Sequence, residues 1–321
     1  MTEETNATPA APVANPQPTA NTPATPPTAP PVAPANSATT NTAAKYAKVE
    51  EFLGNMIGLG EIKDAIKRFV ALKDFQEKTG GIYKITDPNL NMCFRGSAGT
   101  GKTMIANRIA DLYTELGFLG GSKENPLKVT AVNGASLLIN GSSAKVHKIV
   151  SDAVPGILLI DEAYSLTESG STVGDEIIAA LLTEMEEHHA DLAIILAGYT
   201  QKMYKFMNFN PGLRSRMGVN LTFSDYTAEE LFQIMRQMLG KSGFLLTRDA
   251  ENKIMTILYT AVRRPDFGNA RFARQFVEEI LFEHAMQTAN TTDELKLKMI
   301  DGQDVTERIM DLLKLSSTGL M

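Results

Sequence analysis

The chain has 321 residues, a formal net charge of −6 at pH 7 and one cysteine, Cys93. A lone cysteine excludes an internal disulfide framework and fits a reducing compartment. The acidic balance, with no run of Lys and Arg, argues against nucleic acid or a membrane surface as the main partner. No apolar run approaches the roughly 18 residues of a membrane span, and no basic segment followed by an apolar one opens the chain, so a cytoplasmic protein is expected.

Residues 1–44 hold ten of the fifteen prolines, and Glu3 and Glu4 are their only charges. Almost no large apolar side chain offsets the entropy of ordering them, so a disordered, partly polyproline-II arm is expected. A recruiting tether and a plain spacer both fit such an arm. The body begins near Lys45 and runs for about 275 residues, enough for one large domain and a smaller one.

Residues 46–78 read as helix interrupted at Gly54–Gly60, with Ile62, Ile66, Phe69, Val70 and Leu72 near a 3.6 period. Asn91 to Phe94 is a short apolar strand that stops at Gly96, and residues 103–116 return to helical spacing. Further strands are expected at 128–132, 156–160 and 192–197, with a helix over 175–187. The run at 156–160 is continuously apolar, as a strand covered on both faces should be. Alternating strands and helices imply an α/β domain with a parallel sheet, assigned to residues 45–224.

From Asp225 the pattern is helices only, assigned to a small α-helical domain over 225–321. Thr227 and Glu230 form a capping box for a helix reaching about Leu239. A second helix covers 249–263. Asn269 is expected to cap a third, with Phe272, Phe276 and Ile280 on its apolar face, and a last short helix spans 304–314. No repeat at a fixed period is present.

The segment Gly96, Ser97, Ala98, Gly99, Thr100, Gly101, Lys102, Thr103 matches the P-loop pattern at every position. Its glycines let consecutive backbone N–H groups curl round phosphates, and the helix that follows adds the positive end of its dipole. Lys102 is expected to reach the β- and γ-phosphates of ATP, and Thr103 to put a hydroxyl on Mg2+. The strand ending at Ile160 runs into Asp161 and Glu162. Two acids closing a buried strand are costly unless they do chemistry. Asp161 is expected to hold Mg2+ opposite Thr103, and Glu162 to act as general base on the attacking water.

Asn210-Pro-Gly-Leu-Arg214-Ser-Arg216, Ala197-Gly-Tyr199, Asp161-Glu-Ala-Tyr164 and Phe267-Gly-Asn-Ala-Arg271 follow in a fixed order. As a set they resemble the CbbX/SpoVK branch of the AAA+ family, which includes the red-type Rubisco activases, over about Glu51 to Gln287. The resemblance implies a P-loop NTPase core with a five-stranded parallel sheet and a small helical lid, working as a homo-oligomeric, hexameric ring on a protein client. It places Ile57, Gly58 and Leu59 beside the adenine, Met104 at the end of the P-loop, and Tyr199 at the first sensor. Arg214 and Arg216 fall in the arginine-finger region that reaches a neighbouring subunit's ATP, and Arg271 at the second sensor.

One stretch departs from the family. Members that thread polypeptide carry an aromatic–aliphatic–glycine step after the second strand. Here Ser136 to Gly141 is about three residues short, and no aromatic occurs between Phe118 and Tyr164. Leu138 and Ile139 remain as weaker apolar grips. Three functions follow: an ATP-driven remodeller, a nucleotide-gated scaffold with little turnover, and a DNA-handling ATPase, which the acidic balance disfavours. Cys93 reads as a packed apolar side chain, and His188-His189 as a solvated helix end.

Overall fold

The computed structural model describes residues 49–79, 89–265 and 267–306 apart from 52, 55, 169 and 171, together with 308 and 311. The arm expected over 1–44 lies outside them. Helical residues at 49–51 and 53–54 lead to an irregular stretch over 56–59, and α1 (Gly60–Lys78) follows.

Five strands form one sheet: β1 (Met92–Gly96), β2 (Lys128–Asn133), β3 (Gly156–Asp161), β4 (Leu192–Gly198) and β5 (Val219–Phe223). Their order is β2-β3-β4-β1-β5, and every pairing is parallel. Between β1 and β2 lies α2 (Lys102–Leu116). After β2 come α3 (Gly134–Leu138) and α4 (Ser143–Ala153), and after β3 come α5 (Ser165–Glu168) and α6 (Thr172–Glu187). α7 (Thr200–Phe209) and α8 (Pro211–Arg216) connect β4 to β5.

Strand side chains alternate between two cores, as the period of two demands. Ile157, Leu159, Ile195 and Phe94 join Ile62, Ile66, Ile105 and Ile109 on one face of the sheet. Leu158, Ile160, Ile194, Leu196 and Cys93 join Val150, Ile178, Met203 and Phe206 on the other. Each fully buried Leu or Ile contributes about 1.5–3 kcal/mol of transfer free energy, so the central strands are fixed from both sides. Cys93 is the packed residue expected of it, and burial pushes its thiol up to about 11. On α6, Glu184 is buried against His147 and lies 3.6 Å from His188 Nε2.

Beyond Asp225, α9 (Ala228–Lys241), α10 (Arg248–Ala261) and α11 (Asn269–Gln287) enclose a third core that includes Leu231, Met235, Ile254, Leu258, Phe276 and Ile280. The Thr227–Glu230 capping box is present in both directions. Two expectations need correction. This segment is not helices alone, because β6 (Leu245–Leu246) pairs in parallel with β7 (Met299–Ile300) after the short α12 (Glu294–Lys298). Two-residue strands are too short to produce a period-two signal. Most of the last helix expected over 304–314 lies outside the described residues; Asp311 is helical, and Asp304 closes a 3-10 turn over Gly302–Asp304, its Oδ2 2.9 Å from His284 Nδ1. Asn269 does not cap α11; it is the first residue of the helix, with φ 49°, and its side chain turns elsewhere. Among the described residues no helix is long and apolar enough to cross a membrane.

Candidate functional site

The carboxyl ends of β1, β3 and β4 open into a cleft of about 1190 Å3, walled on its far side by α9 and α11. That exceeds the ~300–1000 Å3 usual for a small-molecule pocket.

After Gly96, which packs on Phe223, residues 97–101 turn into α2. Gly101 precedes the helix at φ 95°, a conformation that side chains disfavour, and a Cβ on Gly99 would overlap the Gly268 carbonyl oxygen. The buried Thr100 hydroxyl donates to Ser97 O at 2.9 Å, which closes the loop on itself. Lys102 folds over the loop, its Nζ donating to Gly96 O at 2.9 Å and Ser97 O at 2.8 Å. Burial holds the lysine below its usual pKa, and the carboxylate of Asp161 opposes that shift. Ala98, Gly99, Gly101, Lys102, Thr103 and the half-exposed Met104 line the cleft, whereas Gly96, Ser97 and Thr100 form the loop behind it.

Asp161 closes β3 and lines the cleft across from α2. Glu162 follows at φ 52°, a left-handed conformation that residues other than Gly and Asn seldom adopt. Three hydrogen bonds hold it there. Its N–H donates to Asp161 Oδ1 at 3.0 Å, and its carbonyl accepts from the N–H and hydroxyl of Ser165 at 3.0 and 2.8 Å. Its carboxylate accepts from Asn133 Nδ2 at 3.3 Å.

Asn133 escaped sequence reading. It ends β2 in register with Asp161, so neighbouring strands bring it to Asp161 and Glu162. Its Oδ1 also accepts from Ala135 N at 2.9 Å, capping α3, so one amide joins the acidic corner to the loop that follows β2. That loop ends at Ile139, 68% exposed, and Lys145 Nζ donates to Ser136 O and Ile139 O beneath it.

Tyr199 follows β4, lines the cleft and lies 6.1 Å, ring to ring, from Tyr164. Burial pushes the Tyr164 phenol well up, and the carboxylate of Glu162 adds to it. Arg271 and Arg274 enter the cleft from α11. Ile57 lines it with Met56, Leu59, Ile234 and Met238, an apolar end suited to a base. Gly58 does not line it; it packs toward Glu230 and Tyr226. Arg214 and Arg216 line no part of it either. They sit on α8, started by Pro211 and capped by Asn210 Oδ1 on Gly212 N at 2.7 Å. Arg214 is exposed, while Arg216 pairs with Glu186 and lines a separate hollow of about 350 Å3.

The family model for the ATPase family associated with various cellular activities (AAA) matches residues 92–225, and that for the AAA lid domain matches residues 227–312. A CfxQ homolog from Galdieria sulphuraria is 34% identical over 85% of this chain and 90% of its own length. The chain belongs to the AAA family, in its CbbX/CfxQ branch. Two other members of that branch carry different names. The chloroplastic ribulose bisphosphate carboxylase/oxygenase activase of Cyanidioschyzon merolae is 34% identical over 85% of this chain and 94% of its own. Stage V sporulation protein K of Bacillus subtilis is 32% identical over 81% and 82%. Among solved structures, a RuvB mutant from Thermotoga maritima superposes with a TM-score of 0.54 at 18% identity, over 84% of this chain and 74% of that one. At that identity the likeness is one of fold: the AAA core with its parallel sheet, followed by the helical lid.

Proposed function

We propose that this AAA protein hydrolyses ATP with Mg2+ and works as a homo-oligomeric ring, hexameric as in the resemblance, that remodels a protein partner in the cytoplasm. The observation that carries this reading is the make-up of the cleft: Lys102, Thr103, Asp161, Glu162 and Arg271 share its walls, while Arg214 and Arg216 stand outside it on the same chain. A site that lacks its arginine finger is completed by a neighbour.

In this reading the phosphate loop cradles the β- and γ-phosphates, and Lys102 leaves its loop carbonyls for them. The Thr103 hydroxyl and Asp161 carboxylate are hard oxygen donors of the kind that suit magnesium. When bound, the ion neutralises charge developing on the transferring phosphoryl group. Glu162 takes the proton of the attacking water, Arg271 contacts the γ-phosphate of its own subunit, and the hydroxyl of Tyr199 aligns the water. Ile57 and Leu59, which line the cleft where Gly58 does not, pack the adenine.

The names of the relatives point to no single client. One is named for activating ribulose bisphosphate carboxylase/oxygenase and another for stage V sporulation, at nearly equal similarity. Ile139, exposed and braced by Lys145, is the apolar group after β2 that a client would meet. One aliphatic side chain in place of an aromatic step favours a second reading, a nucleotide-gated scaffold. Turnover measured against subunit concentration separates the two. The remodeller gains activity per subunit as rings assemble, and Lys102→Ala abolishes both binding and turnover. A rate at background across all concentrations, with ATP bound, leaves the scaffold standing.

Asn133 gives a further expectation. Asn133→Ala frees the Glu162 carboxylate from a hydrogen bond worth about 0.5–1.5 kcal/mol, so basal turnover rises by about 2- to 10-fold. The same change removes the α3 cap, at about 1 kcal/mol. Calorimetry should therefore show a melting point lower by about 2–4 °C. A fall in turnover at saturating ATP contradicts the first expectation, and an unchanged melting point the second.

A further inference from the structure

Three successive carbonyls of the phosphate loop are held by groups in or beside the lid. Ala98 O accepts from Asn269 Nδ2 at 3.2 Å, Gly99 O from Ala270 N at 3.1 Å, and Thr100 O from the Tyr226 hydroxyl at 3.3 Å. In a trans peptide C=O and N–H point opposite ways. Anchoring these carbonyls therefore orients the amide N–H groups of residues 99–101, the donors a phosphate needs.

Asn269 is the centre of this contact. It is fully buried, and its Oδ1 accepts from Tyr226 N at 2.9 Å. Besides Ala98 O, its Nδ2 reaches Asp225 Oδ1 at 2.8 Å and Phe267 O at 3.2 Å. An N–H donor facing Oδ1 and acceptors facing Nδ2 fix the orientation of the amide. At φ 49° the backbone tolerates Asn better than most L-residues. Asp in its place would set a second carboxylate beside Asp225, and Gly would keep the backbone but lose every side-chain contact. Two positions on comes Arg271, and three further Arg274, and both line the cleft from one helix face. How the first turn of α11 is seated thus decides where both guanidiniums enter.

We infer that Asn269 is a positioning residue that fastens the start of the lid helix to the phosphate loop and to the Asp225–Tyr226 connection. Through that seating it ties phosphate occupancy to lid orientation and holds Arg271 toward the terminal phosphate. The inference rests on the nucleotide-site reading above.

Asn269→Gly tests it, because the positive φ is kept and only the amide is lost. A fluorescent ADP should lose about threefold in affinity at most, against about tenfold for a non-hydrolysable ATP analogue, since only the second meets Arg271. Turnover should fall by about 10- to 100-fold, the size of effect expected from a misplaced group. The double variant Asn269→Gly, Arg271→Ala should be no slower than Arg271→Ala alone, because the two act as one unit. Additive losses in that cycle, or an unaltered preference for the ATP analogue over ADP, overturn the inference. Asn269→Ala, which loses the same amide without adding a charge, supplies the same readouts should the glycine variant not fold. Failure of the unaltered protein to bind either nucleotide overturns the nucleotide-site reading and this inference with it, whereas normal binding with an unaltered Asn269→Gly variant overturns this inference alone.

Discussion

Glu162→Gln should bind ATP with nearly unaltered affinity and hydrolyse it about 10²- to 10⁴-fold more slowly, the usual contribution of a positioned general base. Glutamine is of the same size, and its Oε1 still accepts from Asn133 Nδ2, which holds the carboxylate at 3.3 Å. The backbone bonds to Asp161 Oδ1 and Ser165 that keep residue 162 at its positive φ do not involve the changed atoms. What changes is that an amide cannot take the water's proton. Equilibrium binding of a fluorescent nucleotide and single-turnover hydrolysis measured side by side decide the matter. Turnover within tenfold of the unaltered protein would remove Glu162 from the role of base. Rings that hold ATP without turning it over would also retain their client, so co-purification with this variant is the route to the partner's identity.

The loop and the two acids that meet in the cleft were legible in the sequence because each is contiguous: eight residues in one stretch, two at one strand end. The central strands were legible for a related reason. Strands β3 and β4 are covered on both faces, so Ile157 to Ile160 and Leu192 to Ala197 read as unbroken apolar runs. The edge strand β5 was not located, although the family resemblance implied a fifth strand. In Val219 to Phe223, Leu221 and Phe223 alternate with more exposed residues, a signal too short to stand out. Residues whose partners lie far away in sequence were hidden. Asn133 meets Glu162 across 29 positions, through a strand register that the sequence does not reveal. Asn269 has the right type and place for a helix cap, and only the fold shows its amide spanning 171 positions to Ala98. Arg214 and Arg216 are two candidates for one role, and their order along the chain alone does not separate them.

On α8 the two arginines can be told apart, and a large difference between their alanine variants is expected. Residues two apart on a helix do not share a face, so only one of them can enter a neighbour's cleft. Arg214 is exposed, whereas Arg216 is engaged by Glu186 and must give up that pair to reach a phosphate. Replacing the finger should cost about 10³- to 10⁵-fold in turnover, roughly 4–7 kcal/mol. Replacing the other should cost little beyond its surface contacts, which for an exposed pair such as Arg216 with Glu186 is about 0–1 kcal/mol. ATP affinity should stay close to the parent's in both, since neither arginine lines its own cleft. Mixing then gives a test that a folding defect cannot imitate. A finger-less subunit keeps an intact phosphate loop, and a Lys102→Ala subunit keeps an intact finger, so neither hydrolyses ATP alone. Where the two sit side by side in the right order, one complete site forms, and the mixture should recover a fraction of parental turnover that rises with the share of mixed interfaces. Mixtures that exchange subunits yet stay at background would mean that each cleft draws nothing from its neighbour.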